Sequence, residues 1–353
     1  LKGTRITDVE HADDILTALT APSGLKNHLN DAQCWCDNNG CETSIPKCLY
    51  QVFGPKQKIS PRFYLGGYLI SRVDKAYYLG VWLETGSKFL WREQYKVKAA
   101  KATTVANVSL GLDRFVGSIP AWDARTLYMA RVDPHLDLTA GCDVCLDVDA
   151  KSLALLERVQ LKFLRRMLGV GRRSLKVVLV SETGIWPIKY RRVYLALKYL
   201  CYLLQLAETR PALNALQESI SLARNQRLSW MNDLRIVLPR LYLPVSLNIA
   251  VDLDVQMVEE AMKRVVKSME AWIDREIEDS SAKKSLDFRH YLRIASPAPR
   301  SVHLTFMVLS SHSLAIERRR WKERGKAVVP QRWRLCRFCF AYVEDPAHAM
   351  FVC

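Results

Sequence analysis

Nowhere in the chain of 353 residues does an apolar run reach the roughly 18 positions that a membrane span requires. The longest candidate, YLALKYLCYLLQLA (194–207), is broken by Lys198 and reads as a buried helix. Low-complexity tracts and internal repeats are also missing. With 49% hydrophobic and 25% charged residues, the composition excludes disorder as the main state. No apolar leader opens the chain, and 353 residues far exceed the size of a disulfide-stapled miniprotein. The ten cysteines therefore fit a reducing, intracellular setting in cytoplasm or nucleus, with some thiols given to metal. A first residue Leu1 and a last residue Cys353 suggest a piece of a longer polypeptide.

Charge is present in excess and unevenly spread. The net charge is +16; the first fifty residues are acidic on balance, whereas ERRRWKERGK (317–326) and Arg332, Arg334 and Arg337 are basic. That asymmetry suits a polyanionic partner such as nucleic acid, or a solvated helix face with a basic tail.

Within DVEHADDILTAL (8–19), Asp13 and Asp14 stand side by side before an apolar run. Two adjacent carboxylates repel one another and resist burial. A tight turn in water makes the pair harmless, and a divalent cation makes it useful. The flanking segments read as strand–turn–strand, so the pair is expected at a hairpin tip. CLYQVFG (48–54) and YYLGVWLETG (77–86) read as further strands or hairpins. SGLKNHLNDAQCWCDNNG (23–40) reads as a helix ended by Asn-Asn-Gly.

From about residue 91 the pattern turns helical. WREQYKVKAAKATTVANVSLGL is a helix with Lys96, Lys98 and Lys101 expected to be exposed. DAKSLALLERVQLKFLRRMLGVG (149–171) is the clearest helix, capped by Asp149 or Ser152 and stopped by Gly169 or Gly171. Leu153, Leu156, Phe163 and Met167 share an apolar face. Arg158, Lys162, Arg165 and Arg166 share another, either solvated or lying along phosphates. A further helical stretch starts at Arg210–Pro211 and runs through 259–278, and IASPAPRS (294–301) reads as a linker.

CRFCFAYVEDPAHAMFVC (336–353) has the spacing Cys-x2-Cys-x8-His-x4-Cys. Cys336, Cys339, His348 and Cys353 supply three thiolates and one imidazole, the donor set of a tetrahedral Zn²⁺ shell. A segment this short cannot bury enough apolar surface to fold alone, so the metal would supply the folding energy. The neighbouring aromatic and basic residues suit single-stranded nucleic acid. Cys34, Cys36, Cys41 and Cys48 lack a companion histidine at ligand spacing, and Cys142 and Cys145 form a lone Cys-x2-Cys, so both groups read as structural or incidental.

In order, EHADDILTAL, HLNDAQCWCDNNGCETSIPKCLYQVFGP, YYLGVWLETG, LALLERVQLKFLRRMLGVG, SETGIWPIKYRR and the terminal Cys-Cys-His-Cys set resemble the later part of the reverse transcriptases of non-long-terminal-repeat (LINE-like) retrotransposons, most closely the fungal type. The resemblance spans most of the chain and is weak over 211–330. It implies an α+β fold: a partial palm (1–90), a helical thumb (91–210), a helical connector (211–325) and a zinc knuckle (326–353). It also implies an RNA-directed DNA polymerase with an RNA template, a DNA primer and no membrane partner. Asp13 and Asp14 would hold Mg²⁺, and Lys47 would protonate the departing pyrophosphate, although Cys48 replaces the family's threonine. Tyr78, Leu79 and Gly80 would form the primer grip, and Arg158, Lys162, Arg165 and Arg166 would follow the template–primer backbone. His11 stands where the family has tyrosine or phenylalanine. The family's first catalytic aspartate and fingers would belong to a missing N-terminal part of the same polyprotein. The chain by itself is therefore expected to bind nucleic acid without polymerising. A non-enzymatic zinc-knuckle RNA-binding protein is the alternative.

Overall fold

The computed structural model describes residues 8–54, 60–86, 89–117, 119–137, 145–172, 174–280, 328–337, 339–345 and 348. The expected linker at 294–301, the basic run at 317–326, Cys142 and Cys353 lie outside the described residues. The class is α+β, mostly helical with a few short strands.

Strands β1 (Asp8–His11) and β2 (Asp14–Thr17) form an antiparallel hairpin in which His11 pairs with Asp14 and Asp8 with Thr17. Helix α1 (Pro22–Asn38) follows, with Pro22 in its first turn, where a missing N–H costs nothing. A 3-10 turn (Ile45–Lys47) leads to β3 (Leu49–Tyr50), which pairs in parallel with β6 (Ser71–Arg72). Between them β4 (Tyr64–Leu65) and β5 (Tyr68–Leu69) make a second hairpin. A small core of Phe63, Leu65 and Ile70, with Leu25 and Leu29 from α1 packed against it, joins these pieces.

The third hairpin, β7 (Lys75–Tyr78) and β8 (Val81–Glu84), turns through Leu79 and Gly80 with φ of 46° and 88°. Positive φ at both central positions is the geometry whose twist matches that of the flanking strands, and glycine adopts it without a Cβ penalty.

The remaining elements are helical: α2 (Arg92–Gly111), α3 (Asp113–Val116), α4 (Ala121–Leu127), a π-helical turn (Tyr128–Val132), α5 (Asp133–Leu136), α6 (Ala150–Met167), α7 (Lys176–Thr183), α8 (Ile188–Leu204), α9 (Pro211–Arg224), α10 (Trp230–Val237) and α11 (Val255–Ser280). One apolar cluster runs from Tyr95 to Ile277 and draws buried residues from both sides of the exposed Arg210.

Helix α6 follows the sequence expectation closely. The Asp149 carboxylate accepts from the Ser152 amide at 3.0 Å, and Gly169 ends the helix at φ 66°. Leu153, Leu156, Phe163 and Met167 are all buried. Helix α2 packs along α6 and buries the small residues Ala102, Ala106 and Ser109. Small side chains at this spacing let the two backbones approach closely. Its Lys96 and Lys101 are exposed as expected, whereas Lys98 is half-buried. Helix α8, read as buried, does bury Leu197 and Leu200 against α11, but Tyr199 and Tyr202 reach solvent. Among the described residues no helix is long and apolar enough to cross a membrane.

Candidate nucleic-acid interface and metal centre

The Asp13–Asp14 pair sits at the tip of the β1–β2 hairpin, with both residues exposed. Among the described residues, neither carboxylate has a hydrogen-bond or ion-pair partner. Ala12 enters the turn at φ 54°, a left-handed conformation that costs a non-glycine residue free energy and is over-represented at functional turns.

Two polar ties anchor this hairpin. At its base the Asp8 carboxylate lies 2.7 Å from His28 Nε2 of α1 and accepts from the Thr17 hydroxyl at 2.7 Å. Along β1, the Tyr78 hydroxyl donates to the Val9 carbonyl at 3.0 Å. Tyr78 is the residue immediately before the Leu79–Gly80 turn, so the structure joins two of the segments singled out from the sequence. Lys47 does not join them: it ends an exposed 3-10 turn, and among the described residues it touches neither aspartate.

The β7–β8 turn is fixed in its own right by Gln94, a residue of α2 with 1% of its surface exposed. Gln94 Oε1 accepts from the Trp82 amide at 3.0 Å, and Gln94 Nε2 donates to the Gly80 carbonyl at 3.4 Å. Beside it Lys75 Nζ meets Glu93 at 2.5 Å. That hydrogen bond holds the Glu93 carboxyl below its ordinary value. Sequence reasoning missed Gln94, because a glutamine within the polar string REQYK carries no periodic signal.

The basic residues of α6 do not behave alike. Arg158, Lys162 and Arg166 are exposed at spacings of four residues, about 6 Å apart along the axis. Lys162 and Arg166 edge a shallow groove against Thr103 and Asn107 of α2, and Arg166 Nη1 donates to Asn107 Oδ1 at 3.0 Å. Arg165 is half-buried, and its guanidinium donates to the Ser174 hydroxyl and carbonyl, each at 3.3 Å. Burial pushes its pKa down and Arg172 adds to the effect. Arg165 therefore ties the α6–α7 connection, and three cations remain as the exposed row.

At the far end of the sequence, an antiparallel bridge between Leu335 and Val343 closes a tight loop, with the Cys336 amide donating to the Tyr342 carbonyl at 2.8 Å. The loop brings Cys336, Cys339 and His348 together, with their ligand atoms all within 4.8 Å of one another and Cys339 Sγ 3.2 Å from His348 Nε2. Zinc–sulfur and zinc–nitrogen bonds of about 2.3 and 2.05 Å at a tetrahedral angle set the S–N separation at roughly 3.5 Å, so this donor set fits the ion. The Asp345 carboxylate accepts from the His348 amide at 2.7 Å, which fixes the histidine's backbone. Arg337 and Glu344 clamp the loop at 2.6 and 3.2 Å. Trp333, Phe340 and Tyr342 are exposed around it.

Comparison with known proteins found no matching family model, no matching curated protein and no matching solved structure.

Proposed function

We propose that this chain is the template–primer-binding part of a retroelement-type reverse transcriptase, with a zinc-held knuckle at its end. The observation that carries the reading is the tie between two hairpins: an exposed Asp-Asp tip and a Tyr-Leu-Gly turn, joined by Tyr78 and Val9. Carboxylates at one hairpin's tip suit a cation that meets an incoming nucleotide's phosphates, and a backbone turn on the hairpin tied to it suits the primer strand that ends in the 3′-hydroxyl. In this reading residues 1–90 are the partial palm and residues 91–210 the thumb. Asp13 and Asp14 hold Mg²⁺, which when bound supplies positive charge against the primer and nucleotide phosphates. Lys47 takes the role of proton donor to the leaving pyrophosphate only if the bound nucleic acid draws its exposed turn toward the tip. Arg158, Lys162 and Arg166 follow the duplex backbone. Cys336, Cys339, His348 and Cys353 hold Zn²⁺, and Trp333, Phe340 and Tyr342 stack on unpaired bases.

Binding without polymerisation is the expected behaviour. Two-metal phosphoryl transfer needs carboxylates from more than one strand, and among the described residues no further carboxylate joins Asp13 and Asp14. That same observation favours a second reading, a zinc-dependent RNA-binding protein in which the aspartates are a plain turn. Mn²⁺ titration of the full chain with a primed RNA template, read by electron paramagnetic resonance, separates the two. Template-dependent Mn²⁺ binding that Asp13→Ala abolishes supports the polymerase reading. Template binding with no Mn²⁺ at the tip overturns it.

A further inference from the structure

We propose that Gln94 is a positioning residue that sets the place of the Asp13–Asp14 tip through the β7–β8 turn and Tyr78. The inference rests on the polymerase reading for its purpose, and on geometry alone for its mechanism.

The contacts form a series. Helix α2 belongs to the large apolar core, through Tyr95, Ala102, Ala106 and Leu110. One residue before Tyr95, Gln94 bonds the backbone of the β7–β8 turn and of the β8 arm: its Oε1 accepts from the Trp82 amide and its Nε2 donates to the Gly80 carbonyl. Tyr78 on the other arm of that turn reaches Val9, 69 residues earlier in the chain, and Val9 lies two residues before the tip's first closing residue His11. No residue of β1 or β2 is buried. Among the described residues, polar ties therefore do much to position the hairpin, and the tie through Tyr78 leads by way of the β7–β8 turn to the helical core. A two-residue turn has little freedom once both its strands are paired. Moving the Gly80 carbonyl thus moves Tyr78, and with it the strand that bears the aspartates.

An amide suits this task because it donates and accepts at once. Burial inside α2 fixes its rotamer, and its loss would leave the Trp82 amide and the Gly80 carbonyl unpaired beneath the turn. Neighbouring Glu93 cannot substitute, because its carboxylate is engaged by Lys75 and Lys96. The remaining anchor, Asp8 with His28, fixes the base of the hairpin to α1 and leaves the tip's direction to Tyr78.

The test uses full-length chain carrying Gln94→Met, which keeps the volume and removes both bonds, Tyr78→Phe, and the pair together. Amide hydrogen exchange across residues 8–17 should rise about tenfold in each single variant, and the double variant should add little to Tyr78→Phe alone, as links in series require. Leu110→Ala, which cuts the same core on the same helix, should leave exchange at 8–17 unchanged. Unchanged exchange at 8–17 in Gln94→Met overturns the proposal, as does a strictly additive double variant or an equal rise in Leu110→Ala. A second readout concerns position itself. With 2-aminopurine as the 3′-terminal base of the primer, Gln94→Met should alter the fluorescence of the terminal base while leaving affinity for the primed template within about twofold. An unaltered terminal signal overturns the assignment. Failure of the chain to bind primed template at all would instead sink the polymerase reading, and the exchange result would stand on its own.

Discussion

Arg192 and Asp147 meet at 2.9 Å with 3% and 2% of their side chains exposed. The same guanidinium donates to the Leu136 carbonyl at 2.9 Å, the Cys145 carbonyl at 2.9 Å and the Tyr95 hydroxyl at 2.8 Å, and it lies over the Tyr95 ring. One side chain of α8 thus binds α2, the end of α5 and the approach to α6. Removing one partner of such a pair strands the other charge in the core. Arg192→Met should destabilise the chain by about 3–5 kcal/mol, and Asp147→Leu added to it should recover much of the loss. Urea denaturation measures both. A loss under about 1 kcal/mol for the single variant would contradict the account.

Acidification should stabilise the helical core over a defined window. Burial pushes the carboxyl of Asp133 up to about 6, against the pull of Arg191 and with repulsion from Asp137, and burial alone pushes Asp233 up to about 6. A carboxyl with a raised folded pKa contributes stability that is fully present below its unfolded value and is lost as pH rises through the folded value. Between about pH 4 and 6, stability should therefore fall with rising pH, by at most about 3 kcal/mol for Asp133. Thermal unfolding of Asp133→Asn should show a flatter slope across that window. Asp149 and Glu93, whose carboxyls are held low, act in the opposite sense, and only below the ordinary carboxylate range.

The basic face of α6 should divide by function. Replacing Arg158, Lys162 and Arg166 with alanine should weaken binding to any primed template. It should also reduce the slope of log K against log salt by about 0.9 for each phosphate that is no longer neutralised, with little change in stability. Arg165→Ala should do the reverse, lowering stability by removing the Ser174 bonds and leaving the slope intact. Fluorescence anisotropy over a salt series, paired with melting curves, distinguishes the two. Equal slopes in the triple variant and the unaltered chain would remove α6 from the interface.

Metal analysis should find one zinc ion per chain. EDTA or Cys339→Ser should remove it and raise amide exchange over residues 328–345 without lowering the melting temperature of the helical core, because a metal-held segment folds on its metal. Cys353→Ser should weaken zinc affinity. Retention of zinc by Cys339→Ser would refute the site.

Where short-range chemistry decides structure, the chain could be read directly. His-Ala-Asp-Asp reads as a hairpin tip, YYLGVWLETG as a strand or hairpin, and Asp149 or Ser152 as a helix cap, and the structure has the two hairpins and the Asp149 cap. Cys336, Cys339 and His348 were readable from spacing, and the structure gathers them. Arg191 and Arg192 illustrate the limit. In YRRVY they look like a solvated pair, but Arg192 is buried against Asp147, and Arg191 reaches both Asp133 at 2.6 Å and Asp137 at 3.1 Å. Their partners lie 45 or more residues away, and no local pattern announces such a meeting. Arg165 shares its basic face with Arg158, Lys162 and Arg166 in the sequence pattern, and helical phase alone does not show that Ser174 lies beside it.

The β1–β2 hairpin keeps every side chain from Asp8 to Thr17 out of the interior. Its apolar residues Val9, Ile15 and Leu16 are exposed, so its opening should carry a smaller heat-capacity change and denaturant dependence than unfolding of the helical core. The arm should therefore come loose while the helical core stays folded, through loss of the Asp8–His28 and Tyr78–Val9 ties.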